Sequence, residues 1–202
     1  MTKAHCLSIG SEELDDIILY ADHDGYPPIS EGLERMRRAD RLVFHNGVGF
    51  DYPALCKLYG DDVLPREKIF DTLILSRLID PTLRGHSLSA WGQRLGYEKS
   101  SYDDWSVFTE EMGVYCIRDV AVTQRLYQML MSKVDVSLDD ALRLEHDFAW
   151  VISLQELHGF RLDVESAEML SAEMRQEMVD IERELQDVFP PKTLERWSEK
   201  TG

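Results

Sequence analysis

Two short constellations in this 202-residue chain carry side chains that could do chemistry. The first is His45-Asn46-Gly47-Val48-Gly49-Phe50-Asp51, where the apolar stretch Leu42-Val43-Phe44 passes into a helix expected from about Phe50 to Tyr59. Its glycines let the backbone turn sharply and approach a ligand closely. Asp51 falls at the start of the helix and at the edge of a sheet, where α/β folds place their sites. An aspartate there also suits a helix N-terminus on electrostatic grounds alone. The second is Tyr115-Cys116-Ile117-Arg118-Asp119. Tyr115 and Asp119 are four apart, so on a helix they stack on one face. A carboxylate can hold a divalent metal, and a phenol one turn away can position a water that attacks a phosphate. By itself the pair also reads as a surface aspartate beneath a half-buried tyrosine.

The elements that must position these groups follow from periodicity. Residues 4–9 and 16–21 read as strands separated by a polar turn, and 22–28 as a Gly- and Pro-marked loop. Ser30 is expected to cap a helix over 31–38 with Leu33 and Met36 inward. A strand at 42–44, the helix to Tyr59, a strand at 68–70 and a helix over 72–79 ended by Pro81 come next. A helix spans 87–95, the stretch 100–110 is polar and irregular, and a strong helix spans 111–131 with Val114, Ile117, Val120 or Ala121, Leu126 and Leu130 on one side. Strands alternating with helices make this an α/β domain. After residue 137 the pattern is purely helical. Leu144, Phe148, Val151 and Ile152 mark one amphipathic helix closed by His158-Gly159, and Ala167, Leu170, Met174, Met178, Ile181, Leu185 and Val188 mark another over 164–189. The expected organisation is a domain over 1–135 and a helical linker over 136–202, in which 138–189 form a helical hairpin.

Composition narrows the classes. A hydrophobic share of 44% with four Trp supports a packed core, and no apolar run approaches the length of a membrane helix. The N-terminus lacks the pattern of a signal peptide, which points to the cytoplasm and to no membrane partner. Cys6, Cys56 and Cys116 form no CxxC pair and read as small buried side chains in a reducing compartment. The formal net charge of −16 argues against tight autonomous nucleic-acid binding, although a carboxylate-rich site can be acidic and act through Mg²⁺. The cluster Arg35, Arg37, Arg38 and Arg41 reads as a solvated helix end.

Taken in order, the segments resemble a known family. His45-Asn46-Gly47 to Phe50-Asp51, then FDTLILSRLIDP (Phe70 to Pro81), HSLSAWGQRLG (His86 to Gly96) and YCIRDVAVTQRLY (Tyr115 to Tyr127) are similar to the 3′→5′ exonuclease (proofreading) region of short-tailed-phage family A DNA polymerases. Glu145 to Asp163 resembles the segment joining exonuclease to polymerase, so the likeness covers nearly the whole chain. It implies a bacterial host with a phage or prophage origin, a ribonuclease H-like fold and a four-carboxylate nuclease site with a tyrosine. The NxxxFD motif matches Asn46, Phe50 and Asp51, and YxxxD matches Tyr115 and Asp119. The implied roles are metal ligation by Asp51 and Asp119, water orientation by Tyr115, and contact with the 3′-terminal nucleotide by Asn46 and Phe50.

The departure from the pattern is equally specific. The family's first motif, Asp-x-Glu on an opening strand, has no counterpart upstream of Asp51; Glu12, Glu13, Asp22 and Asp24 fall in turns and loops. Two of four carboxylates are therefore missing, and Mg²⁺ or Mn²⁺ is expected to bind weakly, at most as one loosely held ion. The expectation is a two-metal proofreading exonuclease scaffold for a single-stranded DNA 3′ end, impaired in this chain. The alternative is a catalytically inactive remnant or interaction module. Without the opening strand, two strand edges are left for a polymerase subunit or a strand-donating partner.

Overall fold

In the computed structural model of the chain, residues 3–97 and 102–190 are described. They divide into two units, Met1–Leu157 and His158–Gly202. The first unit contains β1 (Leu7–Gly10), β2 (Ile17–Tyr20), α1 (Ile29–Arg38), β3 (Leu42–Phe44), α2 (Tyr52–Tyr59), β4 (Ile69–Asp71), α3 (Thr72–Ile79), α4 (Leu88–Arg94), α5 (Glu110–Met131) and α6 (Asp139–His158), whose last residue falls in the second unit. This is a mixed α/β architecture. Residues 98–101, part of the stretch read as irregular, lie outside the described residues, as do residues 191–202.

β1 and β2 form an antiparallel hairpin in which Leu7 faces Tyr20 and Ile9 faces Ile18. β3 and β4 pair in parallel, Leu42 beside Ile69 and Phe44 beside Asp71. Among the described residues these remain two separate two-stranded sheets, and no strand bridges them. A common core joins them instead: Tyr20, Ile29, Leu33, Met36, Leu42, Val63 and Leu64 are buried together, with Leu7, Ile9 and Phe44 packed at the margin. Each such buried aliphatic or aromatic side chain contributes roughly 1.5–3 kcal/mol through removal of apolar surface from water.

α5 is the element that ties the sheets together, contacting β1, β2 and β3 as well as α3 and α4. Its polar side chains grip the hairpin turn: Gln124 Nε2 donates to the carbonyls of Ser11 (2.8 Å) and Glu13 (3.0 Å), and Arg125 Nη2 reaches both carboxylate oxygens of Asp15 at 2.8 and 3.0 Å. The helix starts where Thr109 accepts the Met112 N–H at 3.1 Å, a side-chain N-cap. Its buried residues are Met112, Gly113, Ala121, Val122, Leu126 and Leu130, whereas Val114 is 62% exposed. Gly113 explains the shift of face. A Cβ there would lie 2.6 Å from Leu19 Cδ2, so the first turns of α5 press their backbone onto β2 and Val114 turns away.

Two further expectations are corrected. α1 begins at Ile29 with Pro28 at the N-cap position, so Ser30 lies inside the first turn. Asp22 takes over the capping function from the preceding loop, its Oδ1 accepting the Ile29 N–H at 3.1 Å. The arginines of the α1 end are also not merely solvated. Arg37 Nε donates to the Val63 carbonyl at 3.0 Å, Arg35 Nη1 to the Tyr20 hydroxyl at 3.4 Å, and Arg41 Nη1 to the Tyr127 hydroxyl at 3.1 Å.

The first compact unit continues to Leu157, beyond the change of character read near residue 136. α6 docks through His146, Trp150 and Ser153, while Leu144, Phe148 and Val151 of the apolar stripe are exposed. The second unit contains α7 (Val164–Val188), capped by Asp163, whose Oδ1 accepts the Ser166 N–H at 3.1 Å. Leu170, Met174, Met178, Ile181 and Leu185 recur along it at helical spacing and are all exposed. No helix among the described residues is long and apolar enough to cross a membrane.

Candidate active site

The loop after β3 is built around one buried carboxylate. Asp71, 1% exposed at the end of β4, accepts the Asn46 N–H at 2.8 Å and the Leu73 N–H at 2.9 Å on Oδ1, and the Val48 N–H at 3.1 Å on Oδ2. One acid thus caps α3 and pins the segment that enters the site. Thr72 adds a second tie: its Oγ1 donates to the Phe44 carbonyl at 2.9 Å and lies 2.9 Å from His45 Nδ1. Asn46 adopts a left-handed backbone, φ 66° and ψ 28°, from which residues Gly47–Asp51 wind as a single π-helical turn before α2. Such turns recur at functional sites. Gly47 is required by closeness: a Cβ would sit 2.3 Å from Phe44 Cβ.

This geometry places Asn46 and Phe50 on the surface, Phe50 being 58% exposed, with Asp51 half-buried beside them. The Asp51 side chain makes no capping hydrogen bond to α2, so helix-end stabilisation through such a bond is not its role. Burial drives its carboxyl up to about 6, and the neighbouring carboxylates of Asp71 and Asp119 add to the rise. Asp119 therefore lies within electrostatic reach of Asp51, although 68 positions separate them in the chain.

Tyr115 and Asp119 are one turn apart on α5, both half-buried. The Tyr115 ring meets Trp105 edge-on, centroids 5.3 Å apart, and Tyr102 at 6.1 Å. The structure thus groups Asp51 with Asp119 and, through α5, with Tyr115; Phe50 shares the turn of Asp51, and Asn46 stands at its start.

Among the described residues no group of three His, Cys, Asp or Glu side chains is arranged to hold a metal. Asp71 is the third acid near Asp51, but its two oxygens are committed to three backbone N–H groups.

Several contributors escape a reading of the sequence. Asp71 announces itself only as the acid before a helix, an ordinary N-cap signal. His146 supports it from α6: its Nε2 accepts the Asp71 N–H at 2.9 Å while Nδ1 lies 2.8 Å from the Leu142 carbonyl, which fixes the proton on Nδ1. Trp150, 7% exposed, packs with Val48 and Ile69 and meets Tyr52 edge-on at 4.8 Å, backing the same turn. Nothing in the helical periodicity of α6 separates these two residues from their exposed neighbours.

The chain is 31% identical, over 248 aligned residues, to the DNA-directed DNA polymerase of Escherichia phage T7, and equally so to that of Enterobacteria phage T3. It is related to phage DNA polymerases. Each alignment takes in 94% of this chain but 35% of the polymerase, so the chain spans about a third of the length of these curated relatives. The alignment is also longer than the chain's 202 residues, so those polymerases carry stretches with no counterpart here. No family model matches the chain.

Proposed function

We propose that this chain is the 3′→5′ exonuclease-type proofreading part of a phage-type family A DNA polymerase, ribonuclease H-like in fold. The observation that carries the reading is the convergence of Asp51 and Asp119, from two motifs far apart in sequence, with Tyr115 one helical turn from Asp119. The relationship to two phage DNA polymerases supports a place in DNA replication.

In this reading Asp51 and Asp119 would hold Mg²⁺ or Mn²⁺, which would supply charge stabilisation to phosphodiester hydrolysis. Tyr115, whose ring meets Trp105 edge-on at 5.3 Å, would orient the attacking water. Asn46 and Phe50, exposed on the turn pinned by Asp71, contact the 3′-terminal nucleotide of single-stranded DNA. Residues 1–50 contain no Asp-x-Glu pair, so Asp51 and Asp119 by themselves supply fewer ligands than two ions need. Loss of essential members of a catalytic unit typically costs orders of magnitude in rate.

The alternative, an inactive module with the same fold, draws on the absence of a three-ligand group among the described residues. One experiment separates the two. Release of mononucleotides from 3′-labelled single-stranded DNA is followed with Mg²⁺ or Mn²⁺, using the chain as it stands, a version with an Asp-x-Glu strand added, and that version carrying Asp119→Ala. The exonuclease reading expects near silence, then release, then loss of at least a hundredfold. Continued silence after the strand is added, in a folded protein, favours the inactive module.

A further inference from the structure

Residues 102–109, just ahead of α5, carry three aromatic residues at a spacing of three, Tyr102, Trp105 and Phe108. These residues form neither helix nor strand, yet they are fastened at both flanks. Phe108 stacks on His23 at 4.6 Å and meets Tyr26 edge-on at 5.4 Å. The Tyr102 hydroxyl lies 3.0 Å from Thr109 Oγ1, the residue that caps α5. Between them Asp104 Oδ1 accepts both the Ser106 N–H at 3.1 Å and the Ser106 hydroxyl at 2.6 Å, a closed Asx turn.

This frame holds Trp105 edge-on to Tyr102 at 4.9 Å and to Tyr115 at 5.3 Å, while leaving it 52% exposed. A large indole kept half in water, in a turn that fixes its position, is a preformed contact surface. Its location decides what it contacts. Trp105 touches Tyr115, Tyr115 lies one turn from Asp119, Asp119 acts on Asp51, and Phe50, also exposed, adjoins Asp51. Two exposed aromatic rings thus accompany the same group of acids. Asp103 and Asp104 beside the indole are exposed and repel phosphate, so the ligand group suited to Trp105 is an uncharged ring.

The geometry points to Trp105 as a nucleobase-stacking residue that seats the 3′-terminal bases of single-stranded DNA beside Tyr115. The inference rests on the exonuclease reading and adds a binding residue to it. Stacking on an aromatic side chain tolerates any base and is independent of backbone charge, whereas phosphate contacts are lost with salt.

The test measures binding of a 5′-fluorescein-labelled oligonucleotide by anisotropy in Ca²⁺, with an intact or an abasic 3′-terminal nucleotide. It compares the unmodified chain with Trp105→Ala and Trp105→Phe, and thermal midpoints confirm that both variants fold. The expected result is about a tenfold weakening in Trp105→Ala, near the lower part of the range for one stacked base. Trp105→Phe stays within about threefold, since a smaller ring still stacks. The abasic end weakens the unmodified chain but not Trp105→Ala, and the salt dependence is the same for both proteins. Trp105→Ala binding both oligonucleotides as the unmodified chain does overturns this inference alone. No binding of any oligonucleotide by the unmodified chain overturns it together with the exonuclease reading.

Discussion

Asp71→Ala is expected to lower stability by about 4 kcal/mol and the thermal midpoint by about 10 °C. The carboxylate is buried and accepts three backbone N–H bonds, from Asn46, Val48 and Leu73. Removing it strands those donors, each at a cost of roughly 1–3 kcal/mol, partly recovered where water can enter. Asp71→Asn is a sharper probe. Its remaining oxygen can keep the two bonds made by Oδ1, but an amide NH₂ then faces the Val48 N–H, donor against donor. About half the loss is expected, roughly 2 kcal/mol. Because these bonds hold the turn from Asn46 to Asp51, both variants should also increase amide exchange at residues 46–51 relative to β1 and β2. Denaturant titration and hydrogen exchange check this; an Asp71→Ala protein as stable as the parent would contradict the central role given to this carboxylate.

Asp51→Asn should act in the opposite direction. The Asp51 carboxyl is raised from 3.8 to about 6, by burial first and by Asp71 and Asp119 second. The sign follows from proton binding. Between about pH 4 and 6 the folded chain holds a proton at this position that the unfolded chain has released. Stability from this group is therefore lost as pH rises through that window and does not return above it. The full shift corresponds to about 3 kcal/mol, and a half-buried side chain reduces this to about 1–2 kcal/mol through solvent screening. Asp51→Asn should thus match the parent near pH 4 and exceed it by about 1–2 kcal/mol from pH 7 upward, in EDTA. Thermal melts across this range decide it, and an Asp51→Asn variant less stable than the parent at pH 8 would sink the argument. Stability spent on a crowded carboxylate is what a metal-binding position predicts, since a cation relieves the same repulsion.

How far the sequence led depended on whether a feature was local. Leu33, Met36, Leu126 and Leu130 are buried as helical spacing requires. α4 runs from Leu88 to Arg94, within a residue at each end of the helix read over 87–95. Tyr115 and Asp119 share one face of α5 because four residues make about one turn. The misreadings arose where tertiary contacts choose between options that the sequence leaves equal. Val114 fits an inward stripe, but Gly113 brings the α5 backbone against Leu19 and rotates that face outward. Leu144, Phe148 and Val151 are the obvious core face of α6, yet the first compact unit receives the face with His146 and Trp150. Ser30 has the chemistry of a cap, but Asp22 from the loop reaches the helix end first.

The candidate site was legible as two motifs and not as one place. Neither the separation of Asp51 from Asp119 nor any periodicity places them together; α5 does so by crossing both sheets. Asp71 could be read only as a helix cap, because its bonds to Asn46 and Val48 span 25 and 23 positions. Trp105 lay in a stretch without periodicity, where three evenly spaced aromatics were the sole signal.

The most direct measurement of the central claim, that Asp51 and Asp119 act as one cation-binding half-site, is paramagnetic line broadening of backbone amides on titration with Mn²⁺. The account predicts that residues around Asp51 and Asp119 broaden together and first, and that Asp119→Ala abolishes the effect at both places. Broadening confined to exposed acids elsewhere, or persisting around Asp51 in Asp119→Ala, would contradict it.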